Sequence, residues 1–315
     1  MDFELPADLV ALRDRVAAFV RDEVIPHERD ETLDVRALRD KARDAGVWGP
    51  QLSREHGGLG LGTIGMCVVF EQAGRSLLGP LALHCAAPDE GNMHLLDLYA
   101  TPEQRERFLL PLIEGKIRSC FAMTEPAPGA GSDPTMMLTT ATRVDNGWEI
   151  NGRKWFATGA AGAAFAVTMA KTGDRATMFI VPAETPGFRV VRSIPTMGSA
   201  VMHHITHDEI EYDHVRIDDS LVLGEAGDGF KIAQIRLTPA RLTHCMRWLG
   251  AAQRSIEIAI QYAKERVPNC CVASRRPLPV CASRNQRLVR SQQVGDFDWN
   301  RHRVGIQQST LAALF

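Results

Sequence analysis

The chain has 315 residues, of which 45% are hydrophobic and 23% charged, and its formal net charge is −2. This length predicts a sizeable core and two or three structural domains. The charge does not indicate nucleic-acid binding, and no apolar run approaches the roughly 20 residues of a membrane-spanning helix. Seven cysteines without regular spacing argue against a disulfide framework and favour a reducing compartment. The first residues carry neither the basic segment nor the apolar segment of a secretion signal. We therefore expect a cytoplasmic protein.

Residues 1–118 carry the pattern of an all-α domain. In the first predicted helix, apolar residues recur at helical spacing: Leu9, Leu12, Val16, Phe19 and Val20. Asp34 precedes a second amphipathic run over 35–45, and Gly46 is predicted to end that helix. Further helical patterns follow at 64–76, 94–99 and 103–114.

Residues 119–230 change to short alternating or β-branched runs, which are typical of strands. These runs lie at 148–150, 164–171, 176–181, 188–191 and 204–212. Turn sequences such as Asp145-Asn-Gly147 separate them. The segment is therefore predicted to form a small β-barrel or sandwich.

Helical spacing returns at Phe230, and residues 231–267 are predicted to hold the first helix of a third domain. Its apolar residues recur at three or four positions: Leu242, Met246, Leu249, Ala252, Ile256, Ile260 and Ala263. The α-β-α order can thus be read from the pattern alone.

Residues 268–315 differ from the rest of the chain. They hold seven arginines, no lysine and three of the seven cysteines, without a sustained helical or strand period. Pro268 cannot continue an α-helix. Two interpretations stay open: an out-of-frame translation of the coding DNA, or a genuine divergent or disordered tail.

Two short stretches carry the strongest functional signal. They are Phe121-Ala-Met-Thr-Glu-Pro126, running on to Gly131-Ser-Asp133, and Ile150-Asn-Gly-Arg-Lys-Trp-Phe-Ala-Thr158. A glycine-rich bend lets backbone N–H groups approach a ring edge or a pyrophosphate closely. Phe156 is suited to lie against a flavin ring, and Thr158, two residues on, is expected on the same strand face.

At these residues the chain resembles the acyl-CoA dehydrogenase family, in which F-A-x-T-E-P…G-S-D is followed by N-G-x-K-x-(W/F)-x-T. The resemblance extends from about Phe3 to Arg266. It implies an N-terminal all-α domain, a central β domain and the start of a C-terminal helical bundle. It also implies an FAD cofactor and α,β-dehydrogenation of an acyl-CoA thioester to a trans-2-enoyl-CoA, with electrons passed to an electron-transferring flavoprotein. Family members form dimers and tetramers through the bundle, so a homo- or hetero-oligomer is expected if the bundle is complete.

The resemblance assigns FAD contacts to Met123, Thr124, Ser132, Phe156, Thr158 and Arg266, and CoA contacts to Ser132 and Arg241. Phe156 replaces the more usual Trp, and the loop 127–130 is longer than in some members.

The catalytic base stays unassigned. Most members take it from a later part of the bundle, and a minority from the residue before the arginine that Arg241 matches, which here is Ala240. Glu257 and Glu265 lie on the last predicted helix, and we interpret them as solvated positions. Without the rest of the bundle, the helix over 241–266 is expected to expose an apolar stripe.

Three other motifs are interpreted as structural or incidental and not as binding sites. Gly60-Leu-Gly-Thr-Ile-Gly65 satisfies G-x-G-x-x-G, but no buried strand precedes it, so we expect a loop that leads into a helix. His203, His204 and His207 are not interpreted as metal ligands, because His204 lies on the opposite strand face from the other two. Cys270-Cys271 is interpreted as a pair of incidental thiols.

Three functional hypotheses remain. The first is an acyl-CoA dehydrogenase. The second is an oxygen-using flavin enzyme of the same fold, such as an acyl-CoA oxidase or a flavin monooxygenase. The third is a non-catalytic truncated remnant or binding subunit, favoured by the missing base. Acyl-chain length and branching are not predicted.

Overall fold

The computed structural model describes residues 4–30, 32–131, 133–196 and 206–266. The predictions for residues 268–315 lie outside this part of the chain. By contacts the chain divides into a large unit, Asp8–Arg254, and a second unit that includes residues 4–7 and 255–266. The domain boundaries proposed at 118 and 230 stay predictions.

Helices of the described residues lie at Ala7–Phe19 (α1), Val35–Asp44 (α2), Thr63–Ala73 (α3), Gly79–Ala82 (α4), Asp89–Tyr99 (α5), Pro102–Gln104 (α6), Leu110–Ile113 (α7) and Gly229–Glu265 (α8). Single π-helical turns at Val20–Val24 and Arg105–Leu109 extend α1 and α6. The predicted all-α region before residue 118 is confirmed. None of these helices is long and apolar enough to span a membrane.

The ends of α2 show how local sequence sets a helix boundary. The side chain of Asp34 accepts a hydrogen bond from the backbone N–H of Arg36, which caps the first turn. At the other end, Gly46 has a φ of +62°. Glycine adopts this left-handed conformation at little cost, so the chain can turn away from the helix. Both predicted ends are confirmed.

Seven strands of the described residues form one sheet: Ser119–Ala122 (β1), Thr140–Val144 (β2), Gly147–Thr158 (β3), Phe165–Thr172 (β4), Arg175–Pro182 (β5), Phe188–Ser193 (β6) and His207–Asp218 (β7). Their order is β1-β4-β2-β3-β7-β6, and β5 also pairs with β4. The five predicted strand runs overlap β3 to β7, and residues 204–205 of the last run lie outside the described residues. Neither β1 nor β2 was predicted as a strand.

The pairing of β3 with β7 contains a β-bulge. Lys154 pairs with Ile210 and Ala157 with Asp208, so two residues of β3 face one residue of β7. Phe156, in the bulge, has a φ of +49°. This conformation is strained for a bulky side chain. Regular alternation of side chains therefore fails at residues 155–156.

One apolar core joins the helices and the sheet within the large unit. It includes Val16 of α1, Phe70 of α3, Ile210 of β7 and Ile232 of α8. A helix-side ring, Phe108, packs on Phe165 of β4 with centroids 5.0 Å apart.

The loop at Gly60 leads into α3 and follows a 3-10 turn at Arg54–His56, as the sequence indicates. The α8 helix starts at Gly229 and continues through Pro239. The expected exposure of its apolar residues is confirmed, with Trp248 67% and Leu249 44% exposed. In the second unit, exposed apolar residues are Ile256, Ile258, Ile260 and Tyr262.

Candidate functional site

The two predicted motif stretches meet where β1 ends. The ammonium group of Lys154 donates a hydrogen bond to the carbonyl oxygen of Met123, at 3.0 Å. The backbone N–H of Trp155 donates to the carbonyl oxygen of Thr124, also at 3.0 Å. These bonds hold the end of β1 beside the bulge of β3. We define the cradle as Met123, Thr124, Trp155, Phe156 and Thr158.

A buried ion pair connects the two stretches. Lys154 Nζ lies 2.8 Å from Glu125 Oε1, and the side chains are 0% and 2% exposed, respectively. The Glu125 carboxylate also accepts hydrogen bonds from the backbone N–H groups of Ala130, Leu138 and Thr139. The Glu125 side chain therefore fixes the loop that follows the first motif at residue 130 and again at residues 138–139.

The pKa values keep both members of this pair charged at neutral pH. Burial raises the pKa of Glu125, but Lys154 and the hydrogen bonds to the carboxylate outweigh burial and lower the pKa to about 2. Burial lowers the pKa of Lys154 to about 8, and Glu125 opposes this change. The pair was not predicted, although each residue is part of a motif.

Glycines allow the loop to close around Glu125. A Cβ at Gly129 would lie 2.4 Å from Glu125 Oε2, so only glycine fits without a shift. Asp133 Oδ1 accepts hydrogen bonds from the backbone N–H and the hydroxyl of Thr135, and so shapes the next turn. Ser132 lies outside the described residues, and its contacts with phosphate and CoA stay predictions.

Phe156 presents an aromatic ring to solvent from strained backbone. Its side chain is 45% exposed. The ring packs edge-on against Trp155, with centroids 5.0 Å apart. The indole Nε1 of Trp155 is buried and has no hydrogen-bond partner among the described residues. A strained, exposed ring beside an unused donor is suited to a flat ligand that carries acceptors.

Thr158 follows the bulge and contacts β7. Its Oγ1 lies 3.0 Å from Nδ1 of His207, its partner in the strand register. The neighbouring Asp208 is fully buried, and its carboxylate accepts hydrogen bonds from Ser193, Thr206 and the backbone N–H of Ala161. These contacts fix the end of β3 and the turn after it.

The histidines near β7 were considered as metal ligands in the sequence. In the part of the chain that the structure describes, no group of three His, Cys, Asp or Glu side chains is placed to hold a metal ion. His203, His204 and Cys270-Cys271 lie outside that part.

A buried arginine connects α8 with the strand that leads into the cradle. Arg236 donates from Nε to Asn92 Oδ1 at 2.9 Å and from Nη2 to the carbonyl oxygen of Pro88 at 3.2 Å. Its guanidinium lies 4.0 Å from the ring centroid of Phe121 in β1. Burial lowers the pKa of Arg236 to about 10, so the group stays charged at neutral pH.

A second buried arginine holds α8 against α5. Glu90 accepts hydrogen bonds from Thr243 Oγ1 at 2.7 Å and from Arg247 Nη1 at 3.0 Å. None of these residues was predicted to be functional, because a buried arginine in a helix resembles a solvated one in sequence.

Comparisons with known proteins show the family of this chain. Family models described as the acyl-CoA dehydrogenase N-terminal, middle and C-terminal domains match residues 6–116, 120–215 and 227–277. FadE2 of Mycobacterium tuberculosis, assigned as an acyl-CoA dehydrogenase, is 38% identical over 93% of this chain and 75% of its own length. The chain belongs to the acyl-CoA dehydrogenase family.

The C-terminal-domain match reaches residue 277 and covers only part of that domain, as the resemblance implies. Another relative, acyl-CoA dehydrogenase family member 11 of Gallus gallus, is 40% identical over 73% of this chain. This chain spans only 30% of that protein's length.

Solved structures of the family share the fold. A protein of Mycobacterium abscessus assigned to the acyl-CoA dehydrogenases has a TM-score of 0.80 and 35% identity, over 84% of this chain and 72% of its own. A glutaryl-CoA dehydrogenase of Mycobacterium smegmatis in complex with FADH2 has a TM-score of 0.71 and 26% identity, over 84% of this chain and 67% of its own.

The remaining predicted site residues of this acyl-CoA dehydrogenase family member lie on α8 or directly after its end. Arg241 is exposed, and Ala240 before it is buried. Arg266 belongs to the second unit, where its backbone N–H donates to the carbonyl oxygen of Tyr262. Glu257 and Glu265 are exposed, as expected of solvated helix positions. The roles of Arg241 and Arg266 stay predictions.

Family membership implies an FAD cofactor, and the cradle fits one. The Phe156 ring offers a flat apolar surface, the Trp155 indole an unused donor, and Thr158 a hydroxyl group at a fixed strand position. The isoalloxazine of FAD is planar, with acceptors along its edge, and so matches this set.

Proposed function

We propose that this chain catalyses flavin-dependent α,β-dehydrogenation of an acyl-CoA thioester, giving a trans-2-enoyl-CoA, with electrons passed to an electron-transferring flavoprotein. The observation that carries the proposal is the cradle, where an exposed aromatic ring on strained backbone lies beside the rigidly held end of β1. FAD supplies a hydride acceptor when it is bound.

Each residue of the proposed site has a separate task. Met123 and Thr124 bind the polar edge of the ring through backbone and hydroxyl groups, and Phe156 and Thr158 flank the ring. The Glu125–Lys154 pair keeps these groups in place before the cofactor binds. Ser132 binds the FAD phosphates and the CoA, and Arg241 binds the CoA. Arg266 reaches the FAD phosphates of a neighbouring subunit.

A base must remove the α-proton, and we do not assign one among the described residues. The Ala240 side chain, at the position used by a minority of the family, cannot accept a proton. This observation favours a second candidate, a subunit of the same fold that binds flavin or acyl-CoA without turnover.

An anaerobic titration tests the proposal. The purified chain is loaded with FAD, and its visible spectrum is recorded before and after addition of acyl-CoAs of increasing chain length. Bleaching of the flavin bands supports the dehydrogenase, and a yellow protein that never bleaches supports the second candidate. A chain that retains no FAD contradicts the dehydrogenase and supports the second candidate in its flavin-free form. Consumption of oxygen by the reduced protein would indicate an oxidase or monooxygenase instead.

Matched variants link the result to the cradle. Thr124→Val is expected to weaken FAD retention, because it removes the hydroxyl at the end of β1. Thr140→Val changes an exposed threonine at the start of β2 and is expected to retain FAD as the wild type does. Equal FAD retention by the two variants would contradict the assigned role of Thr124.

A further inference from the structure

Thr158 and His207 form a side-chain pair across β3 and β7. They are partners in the strand register, and Thr158 Oγ1 lies 3.0 Å from His207 Nδ1. We propose that His207 is a positioning residue, which sets whether the Thr158 hydroxyl donates or accepts a hydrogen bond at the flavin. This inference rests on the proposed function, because it requires a flavin against Thr158.

The chemistry of the two side chains permits this role. A hydroxyl group has one proton to donate, whereas Nδ1 of a neutral imidazole is a donor in one tautomer and an acceptor in the other. The N5 atom of an oxidised flavin accepts a hydrogen bond, and in the reduced flavin N5 carries a hydrogen and donates one. A group that faces N5 in both states must therefore reverse its own hydrogen bond.

His207 allows Thr158 to reverse without losing a partner. When Thr158 donates to the flavin, Nδ1–H of His207 donates to Oγ1. When Thr158 accepts from the flavin, its hydroxyl proton goes to an unprotonated Nδ1. Both arrangements satisfy the hydroxyl group, and each chain of two hydrogen bonds runs in one direction.

The surrounding contacts favour movement of protons over movement of side chains. Ala157–Asp208 and Thr158–His207 are regular register pairs, so the Thr158 backbone lies beyond the bulge. Asp208 fixes the adjoining turn through the backbone N–H of Ala161, at 2.7 Å. His207 itself is only half-buried, so its ring can exchange protons with water.

The reduction potential of bound FAD tests this role without substrate or turnover. In His207→Leu, the reduced flavin still donates to Thr158, but the Thr158 hydroxyl then has no acceptor. A buried donor without a partner costs more than an unfilled lone pair. The potential is therefore expected to fall. His207→Asn offers both a donor and an acceptor. Its reduction potential is therefore expected to lie close to that of the wild type.

A double-mutant comparison separates this role from a general structural effect. In a Thr158→Val background, His207→Leu is expected to cause no further shift, because the group through which His207 acts is gone. His207→Phe keeps the ring size without its nitrogens and should lower the potential as His207→Leu does. His214→Leu, on the same strand, is the matched control and should leave the potential unchanged.

The outcomes for the two proposals differ. If the wild type retains no FAD, the proposed function and this inference both fail. If FAD is bound and its potential is the same in wild type, His207→Leu and His207→Phe, only the role of His207 is overturned. An equal shift in the wild-type and Thr158→Val backgrounds also overturns it, since His207 then acts by another route.

Discussion

Glu125 and Lys154 link the two sequence stretches that form the cradle. Their charged atoms are 2.8 Å apart, at 2% and 0% exposure. Lys154 also bonds the carbonyl oxygen of Met123, and Glu125 bonds three backbone N–H groups of the loop that follows. Because both charges are out of water, neither can be solvated if the other is removed. The pair therefore couples the stability of the chain to the shape of its proposed cofactor site.

Lys154→Met is expected to destabilise the chain strongly. It leaves the Glu125 carboxylate buried without its counter-charge, which typically costs about 3–5 kcal/mol. Urea unfolding followed by circular dichroism measures the change. Lys171→Met, which alters an exposed lysine of β4, is the matched control and should differ little from the wild type. A Lys154→Met protein as stable as Lys171→Met would show that the pair is not needed for stability.

The same pair predicts how stability depends on pH. The pKa of Glu125 falls from an ordinary value of 4.5 to about 2 on folding. A carboxyl group with a lowered pKa stabilises the fold above its unfolded-state pKa, and this contribution is lost as pH falls through the folded-state pKa. The free energy of unfolding of wild type minus that of Glu125→Gln should therefore shrink between about pH 4.5 and pH 2.

Urea titrations of both proteins at several pH values give this difference. A difference that stays constant over the acid range would mean that Glu125 does not lose its stabilising charge there. The comparison with Glu125→Gln is necessary, because other carboxyl groups of the chain also have lowered pKa values, among them Glu28.

Features set by neighbouring residues were predictable from the sequence. The ends of α2 depend on Asp34 and Gly46, which act within one helical turn. The two motif stretches are joined by hydrogen bonds from Lys154 to Met123 and from Trp155 to Thr124. The shared binding role of their residues stays a prediction.

Features that depend on distant partners were not predictable. The bulge at Phe156 arises from the register with β7, about fifty residues further along the chain. Phe156 and Thr158 share a strand face only in a regular strand, and the sequence around them does not show the bulge. The charge pair of Glu125 and Lys154 and the contact of Arg236 with Phe121 likewise join residues that are far apart in sequence.

Gly152→Ala is expected to destabilise the chain more than an alanine at an open position does. Gly152 has a φ of +147°, and a Cβ there would lie 2.5 Å from Thr139 Oγ1. Gly173→Ala is the matched control, since its φ is +67° but nothing lies near its Cβ. The steric clash should add about 1–3 kcal/mol to the backbone strain at Gly152. Equal losses of unfolding free energy for Gly152→Ala and Gly173→Ala, measured in urea, would show that the segment at Thr139 moves freely away from β3.

Arg241→Ala is expected to weaken acyl-CoA binding without releasing FAD. Loss of one charged contact to the CoA should raise Kd about tenfold, which is about 1.4 kcal/mol. Lys231→Ala, another exposed cation of α8, should leave Kd unchanged. Titration of the FAD-loaded chain with an acyl-CoA gives both values. Equal Kd values for the two variants would exclude the proposed contact of Arg241.

Phe156→Gly is expected to change stability and FAD binding in different ways. The ring is 45% exposed, and its backbone has a φ of +49°. Left-handed backbone costs a side chain about 1–2 kcal/mol, and glycine removes that cost while losing about 0.5–1 kcal/mol of chain entropy. The FAD-free variant should therefore be as stable as the wild type, or slightly more stable, in thermal unfolding.

FAD affinity should fall in the same variant, by about tenfold or more, because the flat surface for the ring is lost. Phe156→Trp retains an aromatic surface and is expected to bind FAD about as tightly as the wild type. Fluorescence titration with FAD measures the three affinities. If Phe156→Gly binds FAD like the wild type, the strain at this bulge does not serve the cofactor. FAD-free Phe156→Gly could instead lose several degrees of thermal stability. That result would show that the Phe156 ring stabilises the fold by packing against Trp155.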